Sequence, residues 1–148
     1  MATLAALLEG FSADLCQGSW SLPIAGVTAD SRKVETGWAF VALRGFHSDG
    51  HQFILQAIER GAVAVILEGT AGLALPPHVS CVQVADSRRA LAHIAAAFYG
   101  HPSHTVALIG VTGTNGKTTS TYLIEAMLQA NGFTPGVVGT GSYRYASR

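Results

Sequence analysis

The chain has 148 residues, of which 49% are apolar and only 12% are charged. This composition is typical of a compact globular protein and excludes a disordered one. Nine basic side chains balance nine acidic ones, so the net charge gives no reason to expect nucleic acid or a membrane as a partner. The length allows one ordinary domain or two small ones.

Short β-rich runs alternate with helical patterns in the first hundred residues, which is typical of an α/β fold. The predicted elements, in chain order, are a short helix ending at Gly10, strands over 23–31 and 37–43, a helix capped by Asp49 and ended by Gly61, strands over 62–67 and 80–84, and a helix capped by Asp86 or Ser87 and closed by Gly100. The segment GHPSH (100–104) favours irregular backbone. We therefore expect a domain over 1–100, a linker over 101–104 and a second domain starting at 105.

A different pattern follows the linker: an apolar run (TVALIGV, 105–111), a glycine-rich loop, a helix over 118–131 and a second apolar run (TPGVVGT, 134–140). This order predicts two parallel strands joined by a right-handed crossover. Parallel sheets are normally covered on both faces, and one crossover unit cannot cover itself. We expect the segment from 105 onward to be mobile or to self-associate.

The loop TGTNGKTT (112–119) is a candidate phosphate site. Glycines let backbone amides turn towards an anion, and the following helix adds its positive end. Lys117 could then reach the β- and γ-phosphates, and Thr118 could bind Mg²⁺. The strict phosphate-loop pattern fails because Val111 occupies its first glycine position. The alternative is a glycine-rich turn with an exposed lysine.

These residues resemble the ATP-binding loop of the Mur ligases and their folylpolyglutamate synthetase relatives. Residues 30–66, which begin DSRKVETGWAFVALRGFHSDG, resemble the UDP-binding domain of the Mur ligases that add the third residue or the terminal dipeptide of the peptidoglycan stem. The wording GTNGKTT, followed by GVVGT (136–140), is similar to the MurE type. The MurF type, which adds D-Ala-D-Ala, is the alternative.

The resemblance implies an ATP-dependent amide ligase of peptidoglycan precursor synthesis, with ATP and Mg²⁺ as cofactors. The carboxylate of UDP-MurNAc-L-Ala-D-Glu would take the γ-phosphate to form an acyl phosphate, which the amine of meso-diaminopimelate or L-lysine would displace. The chain would then be an N-terminal fragment, inactive alone and a weak ATP binder. The whole enzyme is expected to be a monomer with no nucleic-acid or membrane partner.

The resemblance also implies roles for individual residues. Lys117 is the expected catalytic residue, Thr118 the metal ligand, and Thr119 a support for the loop or an α-phosphate. The uracil and ribose would contact Ser31 and the loop residues Phe46, His47 and Ser48. The amides expected to hold the phosphates belong to Gly113, Thr114, Asn115, Gly116 and Lys117.

Simpler structural roles remain open for several of these residues. Ser31 and Arg32 would only cap a turn, Asp30 would pair with Arg32, and Asp49 would only cap a helix. His101 and His104 frame a linker proline and are too few for a metal site, and His93 is expected to be an ordinary helix residue.

Cysteine usage and the first residues give the expected compartment. Cys16 and Cys81 are far apart without metal-binding spacing, so we expect reduced, inert thiols. The start, MATLAALLEG, has no basic segment and is too short for a membrane span. We therefore expect a soluble cytoplasmic protein.

Two other function classes stand beside the ligase: a non-catalytic module that binds a UDP-sugar, and an unrelated phosphate-loop kinase or GTPase. The guanine-selecting sequence NKxD is absent, which counts against a GTPase.

Overall fold

A computed structural model describes residues 1–45, 49–69, 74–139 and 143–145. The chain divides into two compact units, Met1–Val106 and Ala107–Arg148. No helix within these described ranges is long and apolar enough to cross a membrane.

The first unit alternates strands and helices, as its sequence predicts. Its elements are β1 (Ala2–Thr3), α1 (Leu4–Leu7), β2 (Ala13–Gln17), β3 (Pro23–Ile24), β4 (Gly26–Thr28), a 3-10 turn (Ser31–Lys33), β5 (Trp38–Val41), a 3-10 turn (Gly50–Phe53), α2 (Ile54–Glu59), β6 (Ala62–Leu67), β7 (Ser80–Val84), α3 (Ser87–Phe98) and a 3-10 turn (Pro102–His104).

A five-stranded sheet of order β2-β7-β6-β5-β4 forms the centre of the unit, and β1 and β3 make a separate small pair. The strands β4, β5, β6 and β7 are parallel, and β2 joins β7 antiparallel at the edge. One face packs against α1 and α3, and the other packs against α2. The α/β prediction is therefore confirmed.

The strand β6 shows why the sequence folds this way. Its residues AVAVIL lie between β5 and β7, and all but Val63 are buried. An uninterrupted apolar run is what a strand covered on both faces requires. The predicted bounds of β6 and β7 are correct.

Helix ends in the first unit also follow their sequence signals. The carboxylate of Asp86 accepts hydrogen bonds from the backbone amides of Arg88 and Arg89 at the start of α3, at 3.0 and 2.9 Å. Gly61, at φ +107°, ends the turn after α2 in the left-handed region that glycine tolerates. The first helix is shorter than predicted, since α1 ends at Leu7 and not at Gly10.

The second unit contains α4 (Lys117–Ala130), β8 (Gly136–Val138) and β9 (Tyr143–Tyr145). The predicted helix over 118–131 is confirmed to within one residue at each end. The strands β8 and β9 form an antiparallel pair. The buried residue of α4 is Glu125, whose carboxylate accepts a hydrogen bond from Arg144 of β9 at 2.9 Å.

Two predictions for the second unit are wrong. Residues 105–111 form no strand, and β8 pairs with β9 rather than with them. The physical reason is the lack of partners, because a parallel strand needs hydrogen-bonded neighbours and none of the described strands lies beside 105–111. The apolar residues Leu123 and Met127 of α4 are correspondingly exposed.

Candidate substrate groove and phosphate loop

An open groove of about 550 Å³ lies in the first unit, beyond the carboxyl ends of β4 and β5. Ligands of parallel α/β sheets bind at this edge, where loops and helix starts converge. The lining residues come from the segments after β4 and β5, from the first turns towards α2, and from the start of α3: Ala29, Asp30, Ser31, Arg32, Leu43, Gly45, Gly50, Phe53, Gln56 and Arg88.

Ser31 is the predicted substrate residue that the structure places in this groove. It is buried, and its hydroxyl donates a hydrogen bond of 2.7 Å to the Gln56 side-chain oxygen. Because a hydroxyl has one proton and two lone pairs, this bond leaves Ser31 as an acceptor towards the groove. The geometry suits a ligand that presents an N–H group.

Asp30 and Arg32 form an ion pair at the groove, as the simpler interpretation expects. Two guanidinium nitrogens of Arg32 donate to the two oxygens of Asp30, both at 2.9 Å. These bonds, together with the Arg32 backbone amide, lower the pKa of Asp30 to about 2. Asp30 also caps the turn that contains Ser31. The expected pairing of Asp30 with Arg32 is confirmed, whereas the turn is capped by Asp30 and not by Ser31 or Arg32. Asp30 and Arg32 both line the groove as well.

A second arginine of the groove lining, Arg88, lies at the start of α3. It donates a hydrogen bond of 3.1 Å to the carbonyl of Arg44, which holds the side chain over the end of β5. Among the described lining residues, two are arginines and one is an aspartate, so this part of the lining has more positive than negative charge. An anionic group such as a diphosphate fits that charge.

The predicted substrate residues Phe46, His47 and Ser48 lie outside the described residues. The backbone on either side of them is ordered by a bridge between Arg44 and Asp49 and by a hydrogen bond from the Gly50 amide to the Leu43 carbonyl, at 2.8 Å. A Cβ at Gly50 would lie only 2.7 Å from the backbone of Leu43. Only glycine permits this close approach, which brings both ends of the segment to the groove.

Polar contacts of His51 join the described residues after this segment to the end of β6. The imidazole of His51 contacts the Asp49 carboxylate through Nδ1, at 2.6 Å, and the Glu68 carbonyl through Nε2, at 3.0 Å. Both partners are acceptors, so both bonds form together only when both ring nitrogens carry protons. The His51 backbone amide, and then its ring, lower the pKa of Asp49.

The Glu68 side chain ties the end of β6 to the first residue of α3. Its carboxylate accepts hydrogen bonds from the Ser87 backbone amide at 2.7 Å and from the Ser87 hydroxyl at 2.8 Å. These two bonds, the backbone one first, lower the pKa of Glu68. Arg88 is the next residue, so this contact also fixes where its side chain starts.

The glycine-rich loop of the second unit leads directly into α4. Gly116 precedes the helix at φ +77°, and no described side chain caps the first turn. The helix N-terminus therefore keeps its amides available to an anion. The ammonium group of Lys117 folds back onto the loop and donates to the carbonyls of Gly113 and Thr114.

The remaining loop residues are exposed, including Thr114, Asn115, Thr118 and Thr119. Their exposure and the open helix start fit a phosphate group. Among the described residues, no group of three or more His, Cys, Asp or Glu side chains is arranged to hold a metal ion. The hydroxyl of Thr118 would therefore need further ligands to hold Mg²⁺.

Three histidines outside the groove have ordinary structural contacts. His93 donates to the Glu9 carbonyl at 2.9 Å, as an ordinary helix residue would, and His101 stacks on His104 with ring centroids 5.2 Å apart. The sequence reasoning missed Gln56 and Arg88 as groove residues. Their distance of 25 and 57 positions from Ser31 gives no local signal, because only the fold brings them together.

These features define an α/β protein with a groove at the carboxyl edge of its sheet and a glycine-rich loop at a helix start. Residues 23–99 match the family model described as Mur ligase family, catalytic domain, and residues 111–146 match the Mur ligase middle domain. Since the first match spans more than half of the chain, the chain belongs to the Mur ligase family.

Several named relatives are similar over most of this chain. A UDP-N-acetylmuramoyl-L-alanyl-D-glutamate--2,6-diaminopimelate ligase of Geobacter sulfurreducens is 47% identical over 89% of the chain and 26% of its own length. A UDP-N-acetylmuramyl-tripeptide synthetase of Roseiflexus is 50% identical over 84% of the chain and 24% of its own length. The chain thus spans about a quarter of the length of these curated relatives.

Solved structures share the fold. A UDP-N-acetylmuramoyl-L-alanyl-D-glutamate--2,6-diaminopimelate ligase has a TM-score of 0.74 at 27% identity, over 99% of this chain and 29% of that one. MurF ligase from Thermotoga maritima, solved in complex with ADP, has a TM-score of 0.55 at 32% identity, over 80% of this chain and 27% of that one.

Proposed function

We propose that this chain supplies the uridine-binding domain and the start of the ATP-binding domain of a MurE-type ligase. The whole enzyme would add a diamino acid, meso-diaminopimelate or L-lysine, to UDP-MurNAc-L-Ala-D-Glu in the cytoplasm, through an acyl phosphate formed with ATP. The observation that carries the proposal is the presence of both family regions in one chain at 47% and 50% identity to relatives named for this reaction.

The groove of the first unit supports the substrate half of the proposal. Uracil presents its N3–H group between two carbonyl oxygens, and Ser31, whose proton is already donated to Gln56, is left to accept from that N–H. Arg32 and Arg88 would face the diphosphate. Phe46, His47 and Ser48 would complete the contacts to the uracil and ribose.

The glycine-rich loop of the second unit supports the ATP half. The amides of residues 113–117 would hold the phosphates at the uncapped start of α4, and Thr119 would support the loop or an α-phosphate. Lys117 would leave the carbonyls of Gly113 and Thr114 to neutralise charge on the transferred phosphoryl group. Thr118 would give Mg²⁺ one hydroxyl ligand.

Calorimetry on the 148-residue chain tests the substrate half. We expect UDP-MurNAc-L-Ala-D-Glu to bind, and Ser31→Ala and His47→Ala each to weaken binding several-fold, since a lost hydrogen bond costs about 0.5–1.5 kcal/mol. Lys117→Ala is the matched control and should leave this affinity unchanged. Unchanged affinity in the Ser31→Ala, His47→Ala double variant would remove both residues from the site.

The ATP half is tested in a full-length ligase that contains this segment. Lys117→Ala should abolish ligation while the UDP-substrate still binds. Near-normal turnover would contradict the phosphate-loop assignment, and loss of both activities would indicate misfolding.

The same experiments separate the alternatives. Ligation of D-Ala-D-Ala would identify a MurF-type enzyme, which the solved MurF structures of similar fold make a specific second candidate. Binding of the UDP-substrate by the full-length protein without ATP turnover would identify a non-catalytic module.

A further inference from the structure

The two cysteines are distant in sequence but lie on adjacent strands. In the pairing of β2 with β7, Leu15 is opposite Val82 and Gln17 is opposite Cys81, so β2 has one extra residue at Cys16. Such a β-bulge sets two residues of one strand against a single residue of the other. Gln17 is the registered partner of Cys81, and Cys16 is the inserted residue next to that pair.

The two thiols also share a face of the sheet. Leu15 packs on the core beneath α1 and α3, whereas Cys81 belongs to the core on the opposite face. A bulge interrupts the regular alternation of side chains, so the face of Cys16 is judged from its side-chain contact. Its sulfur is 3.9 Å from the side-chain oxygen of Gln83, which stands two residues beyond Cys81 on that face.

The environments of the two sulfurs differ. Cys16 is exposed on the edge strand, and Cys81 is buried. Burial raises the pKa of the Cys81 thiol, and the neighbouring Cys16 thiol raises it further. Facing residues of paired strands have Cβ atoms about 4.5–5.5 Å apart. Cys16 is one residue away from the Gln17–Cys81 pair, and a disulfide needs Cβ atoms about 3.5–4.5 Å apart, so the bond requires a local shift of the bulge.

We propose that Cys16 and Cys81 are a redox-sensitive dithiol that a low-molecular-weight disulfide, such as glutathione disulfide, converts reversibly into a cross-strand disulfide. The site is separate from the substrate groove, since neither cysteine lines it. It therefore does not depend on the proposed function.

The chemistry is ordinary thiol–disulfide exchange. The exposed Cys16 thiolate attacks one sulfur of the reagent, forms a mixed disulfide and releases one glutathione thiolate. Cys81 then loses its proton and attacks the Cys16 sulfur, which forms the protein disulfide and releases the second glutathione. The two cysteines lose two electrons, the reagent gains them, and both protons end on the two glutathione thiols. Because the pKa of Cys81 is raised, this second step should accelerate as the pH rises.

The bond would fasten the edge strand β2 to the sheet. It would also close a loop that contains β3 to β6, which restricts the unfolded chain. The oxidised chain should therefore have a higher thermal midpoint than the reduced chain, together with slower amide exchange in β2.

The test incubates the folded 148-residue chain with glutathione disulfide and follows intact mass and peptide maps. We expect the wild-type chain to lose two hydrogens, and its map to contain a Cys16–Cys81 linked peptide that disappears on reduction. The matched variants separate the steps. Cys81→Ala should stop at a glutathione adduct on Cys16, and Cys16→Ala should remain unmodified while folded.

Three results would overturn the proposal: both thiols remaining free in the wild-type chain, a Cys16 adduct that persists there as it does in Cys81→Ala, or a linked peptide that forms only in denaturant. The mass and peptide map of the wild-type chain alone distinguish these three results from the expected Cys16–Cys81 linked peptide. The test therefore remains decisive even if Cys81→Ala folds poorly.

Discussion

Two apolar runs of similar composition adopt different structures in this molecule. Residues 62–67 (AVAVIL) form β6 between two parallel neighbours and are largely buried, whereas residues 106–111 (VALIGV) form no strand. Leu67 is fully buried, but Leu108 is 73% exposed. The difference shows that an apolar run becomes a parallel strand through its neighbours rather than through its own composition.

The helices of the two units differ in the same way. In the first unit, α3 is capped by Asp86 and buries Ala90 and Ile94. In the second, α4 begins at Gly116 with no side-chain cap and buries the charged Glu125. Core packing thus holds the first helix, while an ion pair is the principal described contact of the second.

The largest expected effect comes from the same substitution made in both apolar runs. Leu67→Ala removes a buried side chain and should lower the free energy of unfolding of the first unit by about 2–5 kcal/mol. Leu108→Ala should change stability by less than about 0.5 kcal/mol, because its side chain is already exposed. Urea unfolding measures the first effect through Trp20 and Trp38, since both tryptophans lie in the first unit.

Amide exchange across α4 measures the effect in the second unit. If Leu108→Ala accelerated that exchange strongly, residues 106–111 would be packed in solution. That result would contradict the conclusion that only the first of the two apolar runs is packed.

A smaller effect is expected when the ion pair of the second unit is removed. Arg144 donates to Glu125 at 2.9 Å, with 20% and 10% of their side chains exposed, and its guanidinium lies 4.0 Å from the Tyr122 ring centroid. Arg144→Met would leave the Glu125 carboxylate without this partner at a cost of roughly 2–3 kcal/mol, below the range for fully buried pairs. Exchange of the α4 amides should accelerate.

The matched control is Arg32→Met in the first unit. The Arg32 side chain is 81% exposed, so its loss should leave unfolding unchanged within error. Equal effects of the two substitutions would show that burial does not distinguish these ion pairs.

A third prediction concerns the helix caps. Asp86→Ala should lower the stability of the first unit by about 1 kcal/mol, because two amides at the start of α3 lose their acceptor. Asp86→Ser offers a replacement acceptor and should restore most of the loss. Thermal unfolding of the three chains checks both statements, and an unchanged midpoint in Asp86→Ala would show that the cap does not stabilise α3.

Secondary structure could be predicted from the sequence where a local pattern was also supported by neighbouring elements of the fold. The strands β6 and β7, and the caps at Asp49 and Asp86, follow directly from apolar runs and helix-start residues. The edge strand β2 was missed because its residues ADLCQ are only half buried and lack an apolar run. The predicted strand at 105–111 failed because a correct local pattern had no described partner strand.

The two parts of the candidate site also differ in how far the sequence predicts them. The glycine loop is continuous in sequence, so its residues could be predicted together. The groove is assembled from segments far apart in the chain. Ser31 could be predicted from its family-like DSR segment. Gln56 and Arg88 could be recognised as groove residues only from the folded structure. Whether Ser31 and the loop residues bind their ligands remains a prediction.

The smallest expected effect is a pH dependence of the stability of the first unit, which arises from the contact between Glu68 and Ser87. Hydrogen bonds from Ser87 lower the pKa of Glu68 below its ordinary value of 4.5. The folded chain thus holds the proton less tightly than the unfolded chain, so this contact stabilises the first unit above about pH 4.5. That contribution is lost as the pH falls through the lowered pKa.

Because Glu68 is partly solvated, the contribution should amount to less than about 1 kcal/mol. Urea midpoints between neutral and acidic pH test it against Glu68→Gln, which keeps the shape but cannot ionise. Asp49, whose pKa is also lowered, remains in both chains, so its own contribution cancels in the difference. The wild-type chain should lose its advantage over Glu68→Gln only on the acid side. A constant difference at every pH would mean that the Glu68–Ser87 contact stabilises the unit through packing and not through the charge of the carboxylate.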